Sequence, residues 1–278
     1  MSSGSKYTSR TFILEVLTAL LGILFLVPFY FVLVNSFKPF AELLQNTASL
    51  PKSFSLDNYS RVVDIIHFPQ VMGNSLMITV LSNIGLVIFA SMSAYRFVRK
   101  PSKLNNVLFL LFVAAMVIPF QSIMIPLVKV ANNLGLMDSR LGLVVCYFGF
   151  GVSLNVFLFH GFIKSIPKEI EESATVDGCG WFSIFWRIVF PLLKPIAVTV
   201  ILLNSLWIWN DYLLPSLVLT NTKLHTIPLA TYAFFGQYTK QWDLAMAALT
   251  LGVLPIIVFF LLLQKHIIEG ITAGSVKG

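Results

Sequence analysis

The longest charged interruption on one side of this otherwise apolar 278-residue chain is Lys164–Pro191, which reads KSIPKEIEESATVDGCGWFSIFWRIVFP. Glu169, Glu171 and Glu172 stand close together, with Asp177 beyond them and Lys164, Lys168 and Arg187 around them. Holding Lys164, Lys168, Asp177 and Arg187 in hydrocarbon would cost about 2.5–3.5 kcal/mol each, on the order of 10–14 kcal/mol together. The stretch lies outside the bilayer. Other reactive constellations are missing. The sequence has no G-x-x-x-x-G-K-[ST] loop, no Gly-Lys pair and no G-x-S-x-G elbow. H-E-x-x-H is absent, and His67, His160, His225 and His266 lie far apart, so no metal site is expected. Gly149-Phe150-Gly151 lacks the third glycine of a dinucleotide loop. No catalytic residues are assigned.

A second set of chemistry-bearing residues is embedded in apolar sequence: Asn83, Ser91, Ser93, Gln121, Asn155 and Asn204. Uncharged hydrogen-bonding groups there either hold helices together or line a path. The run Trp207-Ile208-Trp209-Asn210-Asp211-Tyr212 is more pointed. Rings beside amide and carboxylate groups suit sugars, which present C–H faces and hydroxyls; the same residues also make an interfacial anchor.

The charged stretch must itself be helical to present its acids. Pro167 suits a first helical position, with Ser165 or Ile166 as the cap. The three glutamates follow where the helix dipole favours anions. Ile166, Ile170 and Ala174 recur four apart on one small apolar face. Gly178 and Gly180 end this helix, and Trp181–Phe190 begins another that Pro191 closes.

The rest of the chain supplies the frame. Hydrophobic residues make up 57% and charged residues only 11%, against about a quarter charged in soluble domains. The solvent is a bilayer. Six stretches reach the ~20 residues that a helix needs to cross it: Phe12–Phe37, Val71–Phe97, Leu104–Val128, Leu141–Ile163, Pro195–Leu217 and Leu244–Gln264. None alternates with period two, so the fold class is an all-α polytopic membrane protein, one transmembrane domain over residues 1–278. The first apolar run exceeds a signal peptide's core and lacks a small-residue cleavage site, and reads as a retained anchor. Pro28, Pro119, Pro126 and Pro255 are placed to kink their helices. Cys146 lies in a span and Cys179 in the charged stretch, so no disulfide is expected.

With six spans both ends share a side. Lys6, Arg10, Arg96, Arg99, Lys100, Lys103, Lys164, Lys168, Arg187, Lys194, Lys265 and Lys277 fall on that side. Lys38, Lys52, Arg61, Lys129, Arg140, Lys223 and Lys240 fall on the other. The richer side is cytoplasmic, and the short cluster Arg96–Lys103 weighs most. The net charge of +7 follows from this topology rather than from nucleic-acid binding. Outside lie Lys38–Gln70, either a solvated connector or a binding surface, and Pro215–Asp243, which holds Tyr232, Phe234, Phe235, Tyr238 and Trp242.

Glu172-Ser173-Ala174, three residues, Gly178, nine residues, Ile188, one residue, then Phe190-Pro191 closely resembles the EAA loop of ABC importer permeases. Ser173 stands for the middle alanine and Phe190 for leucine; both keep the size a packed helix needs. The tail Gln264–Gly278 is too polar to continue the span and is similar to the carboxyl end of maltose-type permeases, with Ile271 for leucine and Ser275 for alanine. The Trp209-Asn210 pair is similar to a pattern in carbohydrate-importer permeases. The resemblance implies the type I ABC importer permease fold in a bacterial or archaeal cytoplasmic membrane. It implies a second permease subunit, an ATP-binding subunit dimer with Mg-ATP on it, an extracellular or periplasmic solute-binding protein and a sugar substrate. No cofactor sits on this chain.

It further implies ATPase docking by Glu169, Glu172, Ser173, Ala174, Asp177, Gly178 and Pro191, with Glu172 meeting an arginine and Ala174 at the close-packing point. Gly270, Gly274 and Lys277 would lie beside the ATPase, and the outer segment before the last span would touch the binding protein. Asn83, Gln121, Asn155, Asn204, Trp209, Asn210 and Asp211 are the candidate path residues. An ion-gradient-driven secondary transporter is the alternative; it calls for intramembrane acids or bases, which the spans nearly lack. A polytopic membrane enzyme has no catalytic constellation to support it.

Overall fold

Where the chain leaves a membrane span it must find partners for its freed backbone groups, and prolines decide where that happens. The computed structural model describes residues 8–236 and 241–275, with side chains to Gln264 apart from Leu263. Lys6, Tyr238, Lys240 and Lys277 lie outside the described residues. Two compact units result, one of Met1–Ile66 with Thr231–Val253, the other of His67–Ala230 with Leu254–Gly278.

In the first unit, α1 (Ser9–Ser36) is a long apolar helix whose membrane window has no buried residue. Its outer end is tied down. Asn35 Nδ2 donates to Thr47 O at 2.9 Å, and Asn58 Nδ2 donates to Ser36 O and Lys38 O. Lys38 is fully buried and spends its ammonium on Asn46 O at 2.9 Å. Two short helices follow, α2 (Phe40–Gln45) and α3 (Asp57–Ile65). Part of the segment Lys38–Gln70 is thus folded on itself.

The second unit is built on α4 (Phe68–Arg99). After it come α5 (Lys103–Ala115), α6 (Phe120–Asn133) and α7 (Arg140–Lys164). Ser102 and Ser139 cap α5 and α7 through their hydroxyls. α4 and α7 pack along much of their length. Gly151 permits this, because a Cβ there would stand 2.9 Å from Leu86 Cδ1. Gly142 is tighter: a Cβ there would stand 1.9 Å from the carbonyl oxygen of Leu136. Gly142→Ala must shift that main chain and is expected to cost about 1–3 kcal/mol. A lowered Tm of the purified protein reads this loss. Gly149→Ala, whose Cβ meets nothing within 4 Å, is the control.

The expected third span, Leu104–Val128, is not one helix. α5 and α6 meet at 108°. Pro119 offers no N–H, and it disfavours helical geometry at Ile118, so the chain turns there. The 13-residue α5 is about 20 Å long, short of the ~30 Å hydrocarbon core.

The remaining helices are α8 (Glu169–Val176), α9 (Trp181–Ile184), α10 (Phe190–Leu192), α11 (Lys194–Asn210) and α12 (Leu213–Val218). α13 (Ile227–Thr231) follows, and α14 (Trp242–Ser275) runs from the first unit into the second. The expected fifth span, Pro195–Leu217, is also corrected. Its helix ends at Asn210, where Asp211 is extended and its Oδ1 accepts from Leu213 N at 2.9 Å. As a helix α14 continues to Ser275, past the expected end of the last span at Gln264. Among the described residues four helices can cross a membrane by length and composition, or six if each bent pair is one span.

Outer loops of the second unit are well tied. Gln70 and Asn74 donate to Lys223 O, and Ser75 Oγ accepts from Ile227 N. The Asp138 carboxylate accepts from the Thr220 hydroxyl and from the amides of Thr220 and Asn221. Those bonds hold its carboxyl below the usual range.

Candidate functional site

The acid-rich stretch forms a hook after α7, at the end of the second unit expected to face the cytoplasm. α7 ends at Lys164, and α8 starts at Glu169 with Lys168 as its cap, so Pro167 precedes the helix instead of opening it. Glu169 and Glu172 are exposed, as are Ser173, Asp177 and Gly178. Ala174 turns the other way. It is buried in a cluster with Ile166, Ile184 and Phe185, so it seats α8 on its own chain instead of facing outward as a contact expected from the resemblance would.

The exit from α8 is a Schellman motif. Gly178 N donates to Thr175 O and Cys179 N to Ala174 O, each at 3.0 Å, and Gly178 takes φ +83°. Only glycine adopts that angle without strain. Pro191 does not close the next helix. Phe185–Val189 widens to a π-turn, with Phe190 N donating to Phe185 O, and α10 runs to Leu192 before a 73° bend into α11. In a regular α-helix the Pro191 ring would meet the Arg187 carbonyl, and the wider turn makes room for it.

One contact had no signal in the spacing. Glu171, between the two exposed glutamates, faces inward. Arg99 Nε donates to Glu171 Oε1 at 2.7 Å, Tyr95 Oη to Oε2 at 2.7 Å, and Arg99 Nη2 to Ile166 O at 2.9 Å. Beyond the acids, Val176, Trp181 and Phe182 leave an apolar collar in the open, with Val176 88% exposed. An exposed apolar patch rimmed by charge suits a contact with another protein or with the membrane surface.

The candidate path residues divide. Asn155 and Asn204 pair amide to amide at 3.3 Å and join α7 to α11. Tyr147 Oη donates to Asp211 Oδ2 at 3.0 Å, and Asp211 Oδ1 accepts from the first amide of α12, so the carboxylate ties α12 to α7. Asn210 is exposed and donates to Leu206 O on its own helix, while Gln121 is exposed on α6. Asn83 and Trp209 border a cavity of about 540 Å³ that also touches Ser205, Ile201 and Pro255 and is mostly apolar. Asn83 Nδ2 donates to Thr79 O and to Ser205 Oγ at 3.1 Å. Since an interhelical bond of this type is worth about 0.6 kcal/mol, a factor of just under three, Asn155→Leu should lower stability by that order and leave uptake within about threefold. Unfolding and uptake assays check both. Gly270 and Gly274 fall within the helical end of α14, and Lys277 lies outside the described residues.

Residues 86–272 match the profile of binding-protein-dependent transport system inner membrane components. The chain belongs to this family. Among its relatives is a probable starch degradation products transport system permease protein, AmyC, of Thermoanaerobacterium thermosulfurigenes. It is 46% identical over 98% of this chain and 99% of that protein. The multiple sugar-binding transport system permease protein MsmG of Streptococcus mutans is 35% identical, covering 92% and 93%. The melibiose/raffinose/stachyose import permease protein MelC of Bacillus subtilis is 35% identical over 96% of each. A chain of a bacterial ABC transporter that imports the acidic polysaccharide alginate superposes with a TM-score of 0.78 at 24% identity, covering 94% of this chain and 99% of that one. The fold is that of a type I importer permease, and this family member is a multi-pass membrane protein. An ion-driven carrier is not favoured.

Proposed function

We propose that this permease is one transmembrane subunit of an ATP-driven importer for a sugar or oligosaccharide in a bacterial or archaeal cytoplasmic membrane. The observation that carries the reading is the hook: acids on the outer face of α8 beside an exposed apolar collar, both held on a seated helix. That combination suits a rigid foot pressed into a cleft of another protein. The sugar class is supported by the relatives named for starch degradation products, multiple sugars and melibiose, raffinose and stachyose.

A second, homologous permease completes the path, and a dimer of ATP-binding subunits carries Mg-ATP. The permease itself is not a catalyst; hydrolysis belongs to those partners. An extracellular or periplasmic binding protein delivers the solute to the outer loops, including the segment before α14. Glu169, Glu172, Ser173 and Asp177 meet the ATPase, Gly178 and Pro191 shape the hook, and Gly270, Gly274 and Lys277 lie beside the ATPase dimer. The solute passes the α4 and α11 face that carries Asn83 and Trp209.

Vesicles containing the complete importer test the reading with labelled malto-oligosaccharide, melibiose and raffinose. Uptake of at least one should require ATP on the hook's side and binding protein on the other, and should survive ionophores. Uptake driven by an ion gradient without ATP would contradict it.

A further inference from the structure

We infer that Tyr95, Arg99 and Glu171 form a clamp that makes α4 the helix receiving the docking hook's motion, with Glu171 a positioning residue and not an ATPase contact. The inference rests on the docking role proposed above for the hook. Two adjacent carboxylates of α8 are put to opposite uses. Glu172 is exposed, whereas the side chains of Arg99 and Glu171 are only 10% and 12% exposed. A guanidinium held that far from water, with its Nε on a carboxylate and its Nη2 on a carbonyl, has a fixed geometry. It cannot be traded for a solvated ion pair.

The clamp gathers the whole hook onto one turn of α4. Arg99 reaches the lead-in at Ile166 and the helix at Glu171. Tyr95, one turn earlier, donates to the same carboxylate, and its ring lies 5.2 Å from that of Phe185 in the π-turn. Lead-in, helix and exit therefore meet one short length of α4. The covalent routes are softer. Toward α7 the chain passes through the non-helical residues 165–168, and toward α11 through the 73° bend at Leu193. α4 continues as one helix of 32 residues, about 48 Å long. Asn83, sixteen residues before Arg99, borders the cavity about 24 Å away. A push on the hook reaches the cavity wall along an unbroken rod.

The reconstituted importer tests this through the solute moved per ATP hydrolysed. With Glu171→Ala the ATPase should still co-purify and hydrolyse ATP, while that ratio falls about tenfold, within the range for residues along a coupling network. The swapped pair Arg99→Glu with Glu171→Arg should recover part of the ratio, as expected if the two side chains act as a pair. If Glu171→Ala fails to accumulate, Tyr95→Phe, which removes one hydroxyl and no charge, should lower the ratio in the same direction. An unchanged ratio in whichever of these two variants is assayed would overturn the clamp. So would loss of the ATPase from Glu171→Ala, since Glu171 would then be a docking contact. Failure of the ATPase to co-purify with the unaltered permease would instead sink the docking reading itself.

Discussion

Glu172→Lys is expected to abolish ATP-dependent uptake while the permease still inserts and folds. Glu172 lies on the outer face of α8 and is exposed. An exposed substitution of this kind costs the fold within about 0.5 kcal/mol. At an interface the balance differs. Loss of a paired charge costs about 2–5 kcal/mol, and reversal adds repulsion against whatever basic group it met. That is about thirtyfold or more in docking. Co-purification of the ATPase and vesicle uptake should fall together, and the Tm of the permease should not. Full uptake by Glu172→Lys would rule out an ionic contact at this position.

Ala174→Asp should have an effect of similar size by an opposite route. Ala174 is 7% exposed and packs among Ile166, Ile184 and Phe185. A carboxylate there is buried without a cation, at a cost of several kcal/mol even after relaxation. Short α8 has little stability of its own apart from this packing. The hook should leave its seat, become cleavable by protease between residues 164 and 191, and lose the ATPase although Glu172 is intact. Ala174→Gly keeps the site apolar and should cost only about 1 kcal/mol. Protease resistance equal to the unaltered protein would show that the hook does not depend on this face.

Much of the frame could be read from residue types, because apolar length decides what crosses a bilayer. The turn at Gly178 was legible for a similar reason: a left-handed residue after a helix has few candidates besides glycine. The break between α5 and α6 was not. Met116–Pro119 lies inside apolar sequence, and a proline there is compatible with a mild kink as well as with the 108° turn observed. Asp211 illustrates a second limit. Beside Trp209 and Asn210 it has the chemistry of a sugar contact, yet its oxygens are taken by Tyr147 and by the start of α12. Glu171 shows a third. Its partner Arg99 is 72 residues away, and within α8 nothing but the fold distinguishes it from Glu172. Periodicity finds a face; only packing says which neighbour meets it.

Exposed on the hook, Val176 offers the most direct test of the docking claim. In the importer with Cys146 and Cys179 replaced by serine, Val176→Cys should cross-link to the ATP-binding subunit through a short thiol reagent, and Mg-ATP should change the yield. Cross-linking to lipid or to no protein at all, with the ATPase present and active, would contradict it.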